Sequence, residues 1–413
     1  MNNKFYILII LGLMLVLSSC TKSQEEIIDN NSNQVDDELG EETEDIDEIV
    51  ELINSMTLDE KIGQLLIIGF NGTSIDERVE TMIKKYHIGG FILFRENISS
   101  VEQTTELLNT LKDTNKTNPI PLFLSIDEEG GRVRRLPYPF LKLPTAKKIG
   151  DINDKNISFQ YGKILGRRIK SIGFNMNFAP VMDVNSNPQN PVIGDRAFGA
   201  TVDIVSNTGI QVMNGINSEN IIPIIKHFPG HGDTSADSHI NIPIVDKGLT
   251  QIEHLELIPF TRGIEAGVDG VMIGHIMFPQ IDDTYPATLS KKIITDILRE
   301  KLFFDGVVIS DDMTMGAIAK NYEIEDAAVS YLKAGGDILL ICHGHDEPIK
   351  VIQRIKEEVE RGNIREEALD EKLYRILKLK DKYNISDEIV DSEDIQSINH
   401  DTQLLLDKIK EFK

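Results

Sequence analysis

Gly306-Val307-Val308-Ile309-Ser310-Asp311 places three consecutive β-branched residues ahead of two polar ones. Such a stretch reads as a short strand buried on both faces that ends where it meets water. Seven further runs share this character, at 65–70, 90–94, 121–127, 175–183, 221–228, 270–278 and 336–342, and longer stretches of helical period separate them. Apolar strands alternating with helices predict a parallel sheet covered on both sides. Eight such units in one stretch favour a closed (β/α)8 TIM barrel as a single catalytic domain. A doubly wound open sheet is the competing architecture.

Polar residues cluster where these runs end: Arg95 and Glu96, Asp127 to Arg135, Asp183, Lys226 and His227, His275, Ser310 to Asp312, and His343. Any one of them could simply cap a strand at the solvent boundary. A barrel of this kind carries its active site at the C-terminal ends of its strands, so their recurrence predicts one shared site.

The chain has 413 residues, 40% of them hydrophobic, which is enough to bury a sizeable core. Its formal charge of −24 argues against nucleic acid as a partner, because a phosphate backbone is bound by clustered Lys and Arg. Residues 21–50 hold twelve acidic side chains and one lysine, and read as a solvated, disordered linker that repels itself into an extended tether. Ahead of it, Lys4 precedes an apolar run of about 13 residues that suits a signal-peptide core better than a membrane span. Ser18-Ser19-Cys20 resembles a bacterial lipobox. Residues 1–20 are thus expected to be a lipoprotein signal, with Cys20 lipidated and the protein held outside the cell on its membrane. Cys342 would then be the remaining thiol, so no internal disulfide is expected. The barrel is expected over 51–385, with an amphipathic helix near 371–380. Residues 386–413 are expected to be a short helical appendage or tail, and the protein a monomer.

The richest segment is Lys226-His227-Phe228-Pro229-Gly230-His231-Gly232-Asp233-Thr234-Ser235-Ala236-Asp237-Ser238-His239. It leaves a strand, turns at Pro229 and Gly230, and delivers ionisable groups on a loop. His227, His231, Asp233, Asp237 and His239 could ligate a metal, but the pattern is not a helical HExxH. Asp237 and His239, two apart in extended chain, point the same way, so the carboxylate can orient the imidazole for acid/base work. Anion binding by the glycines is a third reading.

This run resembles the signature of β-N-acetylglucosaminidases of glycoside hydrolase family 3. Three further segments resemble that family in the same order: Ile126-Asp127-Glu128-Glu129-Gly130-Gly131-Arg132-Val133-Arg134-Arg135, then Asp195-Arg196-Ala197-Phe198-Gly199, then Ser310-Asp311-Asp312-Met313. The resemblance spans roughly 50–380. It implies Asp311 as nucleophile, since strand alternation alone does not choose between Asp311 and Asp312. It implies Asp127, Arg135, Arg196, Lys226 and His227 as holders of the sugar hydroxyls, with Arg132 among the substrate-binding residues in a supporting place. It further implies that His239, paired with Asp237, replaces the second carboxylic acid usual in glycosidases; the second domain that supplies a glutamate in larger relatives is not found in this chain. The resulting expectation is a retaining exo-β-N-acetylglucosaminidase acting on GlcNAc–MurNAc or muropeptide fragments without a metal or organic cofactor. A metal-dependent hydrolase, a phosphorylase using phosphate in place of water, and a non-catalytic glycan-binding lipoprotein are the alternatives. Because Lys226 and His227 are neighbours, both reach a sugar only if their strand bends. Glu128 and Glu129 are expected to pair with Arg132 and Arg134.

Overall fold

The computed structural model describes residues 47–235, 238, 241–391 and 394–412. Eight parallel strands form a closed barrel in chain order: β1 Leu66–Ile68, β2 Gly90–Leu93, β3 Phe123–Ile126, β4 Met176–Asn177, β5 Ile222–Phe228, β6 Gly270–Ile273, β7 Val307–Asp312 and β8 Ile338–Ile341. Pairing of Leu66, Ile67 and Ile68 with Leu339, Leu340 and Ile341 closes the ring and sets aside the open sheet. The strands are buried nearly throughout because helices cover the outside and side chains fill the inside, which is why they read as unbroken apolar runs.

Observed strands are shorter than the runs that announce them. The run at 175–183 contributes only two residues, because Pro180 has no N–H to continue the ladder; pairing resumes at a bridge between Val181 and Lys226. β5 carries a register shift between Ile225 and Phe228, so the bend demanded of this strand is present.

The described chain begins inside the stretch read as linker. Asp47 accepts from the backbone N–H of Ile49 at 3.0 Å, starting the helix Glu48–Ser55, and its other oxygen accepts the Tyr374 hydroxyl at 2.9 Å. Acidic composition alone hides this cap, since Asp and Glu suit both a solvated linker and a helix N-terminus. At the other end, Ile395–Glu411 is a helix that buries Ile398, Thr402 and Leu405. Its Thr402 accepts from the buried Arg168 at 3.0 Å, and Asn399 grips the backbone of Leu141 at 3.0 Å and Pro139 at 2.9 Å.

Two buried ionisable side chains hold the N-terminal end of the barrel. Lys380, from the helix Glu366–Lys382, donates to the Gln64 side chain at 2.9 Å and to the carbonyls of Gly89 and Pro121 at 3.1 and 2.6 Å, over the Phe123 ring. Asp337 accepts from Arg299, from Arg375 at 2.9 Å and from the Val308 N–H at 2.8 Å. Burial pushes the Asp337 carboxyl up, but the two guanidiniums outweigh it and hold its pKa below the ordinary range.

Replacing Lys380 with Met should therefore lower unfolding free energy by about 3 kcal/mol, read from the urea midpoint, since three buried acceptors lose their donor. Asp337→Asn should cost about 3 kcal/mol at pH 7 for the same kind of reason. A depressed folded pKa stabilises above the unfolded value of about 3.9 and loses that contribution as pH falls through the folded value. The urea midpoint of the wild type should thus drop more steeply below pH 4 than that of the Asn variant.

Candidate active site

The strand ends converge on a pocket of about 360 Å³ at the C-terminal mouth of the barrel. Asp127 and Glu129 follow β3, Lys226 and His227 end β5, Asp311 and Asp312 end β7, and Cys342 and His343 follow β8. The turn after Glu129 needs glycine. Gly130 has φ +79°, and a Cβ there would lie 2.0 Å from the Tyr161 hydroxyl, which itself hydrogen-bonds the Glu129 carbonyl at 2.9 Å.

A buried ionic network lines one wall. The Lys226 ammonium sits 2.6 Å from Asp127 and 2.8 Å from Glu129, while Arg196 holds Glu129 through two contacts of 2.9 and 2.7 Å. Burial pulls the Lys226 pKa down most strongly, but Asp127 and Glu129 reverse this and keep it raised. Burial likewise pushes Glu129 up, and Arg196 and Lys226 overcome it to hold the carboxylate well below its usual range. Lys226, Glu129 and Arg196 are therefore charged at neutral pH.

A second chain of contacts orients the histidines. His227 Nδ1 lies 2.7 Å from the fully buried Asp183, whose other oxygen accepts the His231 N–H at 2.7 Å. Burial raises the Asp183 pKa, yet His227 charge and hydrogen bonding outweigh it, so an ionised carboxylate accepts from Nδ1 and leaves Nε2 for the pocket. His231 bonds Thr234 at 2.8 Å, and burial followed by the nearby His227 pushes its pKa down to about 4. It is a neutral ring at pH 7.

Asp311 and Asp312 have different surroundings. Asp312 accepts from the Thr314 N–H at 2.9 Å, the Thr314 hydroxyl at 2.6 Å and the Cys342 N–H at 3.1 Å. Among the described residues Asp311 accepts only the Asp312 N–H, at 2.9 Å, and it lines the pocket. Burial raises its pKa, but His275, His227, the Asp312 N–H and Lys226 together bring it below the ordinary carboxylate value.

Asp127, Arg135, Arg196, Lys226, His227 and Asp311 thus share one cavity. Arg132 does not line it: its guanidinium contacts Asp195 at 2.9 Å and the carbonyls of Val192 and Ile193, bracing the loop that carries Arg196. Asp237, His239 and Cys20 lie outside the described residues. Ser238, between the first two, lines the pocket, and its carbonyl accepts the Ala317 N–H at 3.0 Å. That bond ties the loop tip to the segment following Asp311.

Sequence reasoning misplaced Glu128 and Glu129, which pair with neither Arg132 nor Arg134. Glu128 instead accepts the backbone N–H groups of Arg135 and Leu136 at 2.7 and 3.3 Å. Alternation could have found Glu129, since it lies two residues from Asp127 and both reach Lys226. Asp183 as the orienter of His227 had no signal beyond its place at a strand end. His275 proves to be a strand anchor, bonded to Thr288 at 2.7 Å and the Asp312 carbonyl at 2.8 Å, whereas Met315 lines the pocket. The Phe94 and His343 rings, 5.0 Å apart, form its rim. Of the candidate metal ligands, His227 engages Asp183, His231 engages Thr234 and Asp233 engages Lys247; among the described residues no three such groups gather around one point.

Comparison with known proteins agrees with this geometry. Residues 57–379 match the family described as Glycosyl hydrolase family 3 N terminal domain. A beta-hexosaminidase of Nitrosomonas eutropha is 35% identical over 298 residues, covering 70% of this chain and 84% of its own length. Beta-hexosaminidase A of Pseudoalteromonas piscicida is 34% identical over 75% of this chain, which spans 56% of that protein. Among solved structures, a glycoside hydrolase family 3 beta-N-acetylglucosaminidase from Paenibacillus sp. str. FPU-7 superposes with a TM-score of 0.83 at 36% identity, covering 87% of this chain and 69% of its own. The family match runs through all eight strands and every described pocket residue named above, and the chain belongs to glycosyl hydrolase family 3.

Proposed function

We propose that this chain is a retaining exo-β-N-acetylglucosaminidase that removes terminal β-linked GlcNAc from cell-wall fragments such as GlcNAc–MurNAc and muropeptides. The observation that carries the reading is the contrast between the two adjacent carboxylates. Asp312 accepts from the Thr314 N–H and hydroxyl and from the Cys342 N–H, while Asp311, held below the ordinary carboxylate value, accepts the Asp312 N–H and lines the cavity. A nucleophile needs that second condition. The hexosaminidase names of the relatives support the substrate class.

In this mechanism Asp311 attacks the anomeric carbon while His239, oriented by Asp237, gives its proton to the departing oxygen. The glycosidic C–O bond breaks and a glycosyl-enzyme ester forms. Water then loses a proton to His239 and attacks the same carbon, releasing Asp311 and restoring the original configuration after two inversions. Asp127, Lys226, Arg196, Arg135 and His227 bind the sugar hydroxyls and reject analogues lacking them. A cavity of about 360 Å³ is near the lower end for small-molecule sites, roughly 300–1,000 Å³, and suits capture of one terminal sugar. The protein works outside the membrane, anchored through a lipid on Cys20.

Asp311→Ala should reduce kcat on an aryl β-N-acetylglucosaminide by on the order of 10⁴ or more, with the fold retained. His239→Ala should cost about 10²–10⁴. Normal turnover by the Asp311 variant would end the double-displacement reading, and a rate that depends on added phosphate would replace hydrolysis with phosphorolysis. Mass spectrometry of the mature N-terminus should find an acylated Cys20, and Cys20→Ala should move the protein from the membrane fraction into the soluble one; a mature chain starting elsewhere would contradict the anchor.

A further inference from the structure

The connection that follows β5 turns away at Pro229 and comes back through residues 243–247, where Ile244 bridges to Met277 just past β6. Two bonds fix that return: the Val245 N–H donates to the Met277 carbonyl and the Met277 N–H to the Pro243 carbonyl, each at 2.9 Å. The outgoing limb is held from the β4 side, where Asn190 reaches the His231 carbonyl at 2.8 Å and Asn187 the Thr234 carbonyl at 3.2 Å. In sequence, Asp237 and His239 fall between the two limbs.

Lys247 joins these limbs. Its ammonium lies 2.8 Å from Asp233 on the outgoing side and 2.5 Å from Glu256, which immediately precedes the helix Leu257–Glu265. Glu256 is only 1% exposed, and its Oε2 is buried without a partner, so Lys247 is what offsets the cost of placing this carboxylate there. Burial pulls the Lys247 pKa down most strongly, but Asp233 and Glu256 outweigh it and keep it raised. The ammonium is therefore charged at neutral pH. Gly230 packs directly onto the same glutamate: its φ is +134°, and a Cβ there would stand 2.8 Å from the Glu256 Cβ. The turn that starts the loop is thus seated on Glu256, and Lys247 binds that seat to Asp233.

The described residues lining the sugar pocket include none of Asp233, Lys247 and Glu256. They act at the base of the loop, while at its tip the pocket-lining Ser238 accepts the Ala317 N–H through its carbonyl. Closing a loop at its base removes conformations in which its tip would wander.

We propose, on the acid/base reading of His239 and Asp237 given above, that Lys247 is a positioning residue for proton transfer, cross-linking Asp233 to Glu256 so that the loop presents its acid/base pair to the leaving oxygen in one place. Displacing a reacting group by about 1 Å can cost on the order of 10²-fold in rate. Here the cost depends on the leaving group. A phenolate of ordinary basicity needs a proton as the C–O bond breaks, whereas a dinitrophenolate departs without one. kcat/KM reports the steps up to formation of the glycosyl-enzyme, in which that proton is given.

The full chain, as wild type, Asp233→Ala, Lys247→Arg, His239→Ala and Asp233→Ala/His239→Ala, is assayed on phenyl and dinitrophenyl β-N-acetylglucosaminides. Asp233→Ala frees the outgoing limb yet leaves Lys247 on Glu256, so the buried carboxylate keeps its cation. It should lower kcat/KM about tenfold or more on the phenyl glycoside and less than about threefold on the dinitrophenyl one. Lys247→Arg, still able to span both carboxylates, should retain most of the phenyl activity. In the His239→Ala background, Asp233→Ala should add less than about twofold, because the group it helps to place is gone. Equal losses on the two substrates, no loss on either, or a full further loss in the His239→Ala background would overturn the proposal. Failure of His239→Ala itself to separate the two leaving groups would overturn the acid/base reading and this proposal with it, whereas separation by His239→Ala but not by Asp233→Ala would overturn the positioning role alone.

Discussion

The mouth of the barrel is organised around a buried ammonium. Lys226 lies between Asp127 and Glu129, and Glu129 is in turn clasped by Arg196. Taking an ion out of water costs several kcal/mol, and only close, multiply bonded partners offset this. Lys226 and Arg196 meet Glu129 and Asp127 here, with Arg135 3.8 Å from Asp127, so the wall is polar and held by close contacts. Asp127 keeps part of its surface toward the cavity, and the same network adds the Lys226 charge that helps keep Asp311 ionised. Binding groups and nucleophile are thus coupled electrostatically as well as by position.

Only a closed barrel brings these residues together. Asp127, Lys226 and Asp311 stand at the ends of β3, β5 and β7, and closure through β8 and β1 sets the tilt and spacing of all three. Each side chain sits at the boundary where a buried strand gives way to a loop. The strand supplies precision and the loop supplies freedom of sequence. Below the strands, Lys380 and Asp337 satisfy backbone groups at the opposite end.

How much of this was legible follows from what each feature costs to encode. Doubly buried parallel strands must be continuously apolar, so all eight could be read and the barrel with them. Their ends could not be read well, because an apolar residue just past the last ladder bond is buried as deeply as one before it; Phe278 is buried five residues beyond β6. Within the site, residues at strand ends were readable, but partner choice was not. Glu129 has Arg132 and Arg134 close in sequence and bonds Arg196 and Lys226 instead, because folding brings distant strand ends nearer than the local turn allows. Arg132, placed by resemblance among the substrate-binding residues in a supporting role, braces Asp195. The Asp47 cap was hidden in an acidic run whose composition suits a linker equally well.

The C-terminal helix Ile395–Glu411 shows that the pocket's surroundings extend past the family's own span, which ends at residue 379. Its Asn399 holds the 139–141 backbone from one side while Glu128, next to the Asp127 that pairs with Lys226, holds the 135–136 backbone from the other. The rim between them therefore has a fixed height over the pocket. The chain carries 67 acidic against 43 basic side chains, yet the described residues lining the concavity at this rim include four cations and no carboxylate, so the sign of the local field reverses there. A rim clamped by a helix outside the barrel core gives this family member a means to tune that patch through loop and helix sequence, while the barrel and the ionic wall at Lys226 stay as they are.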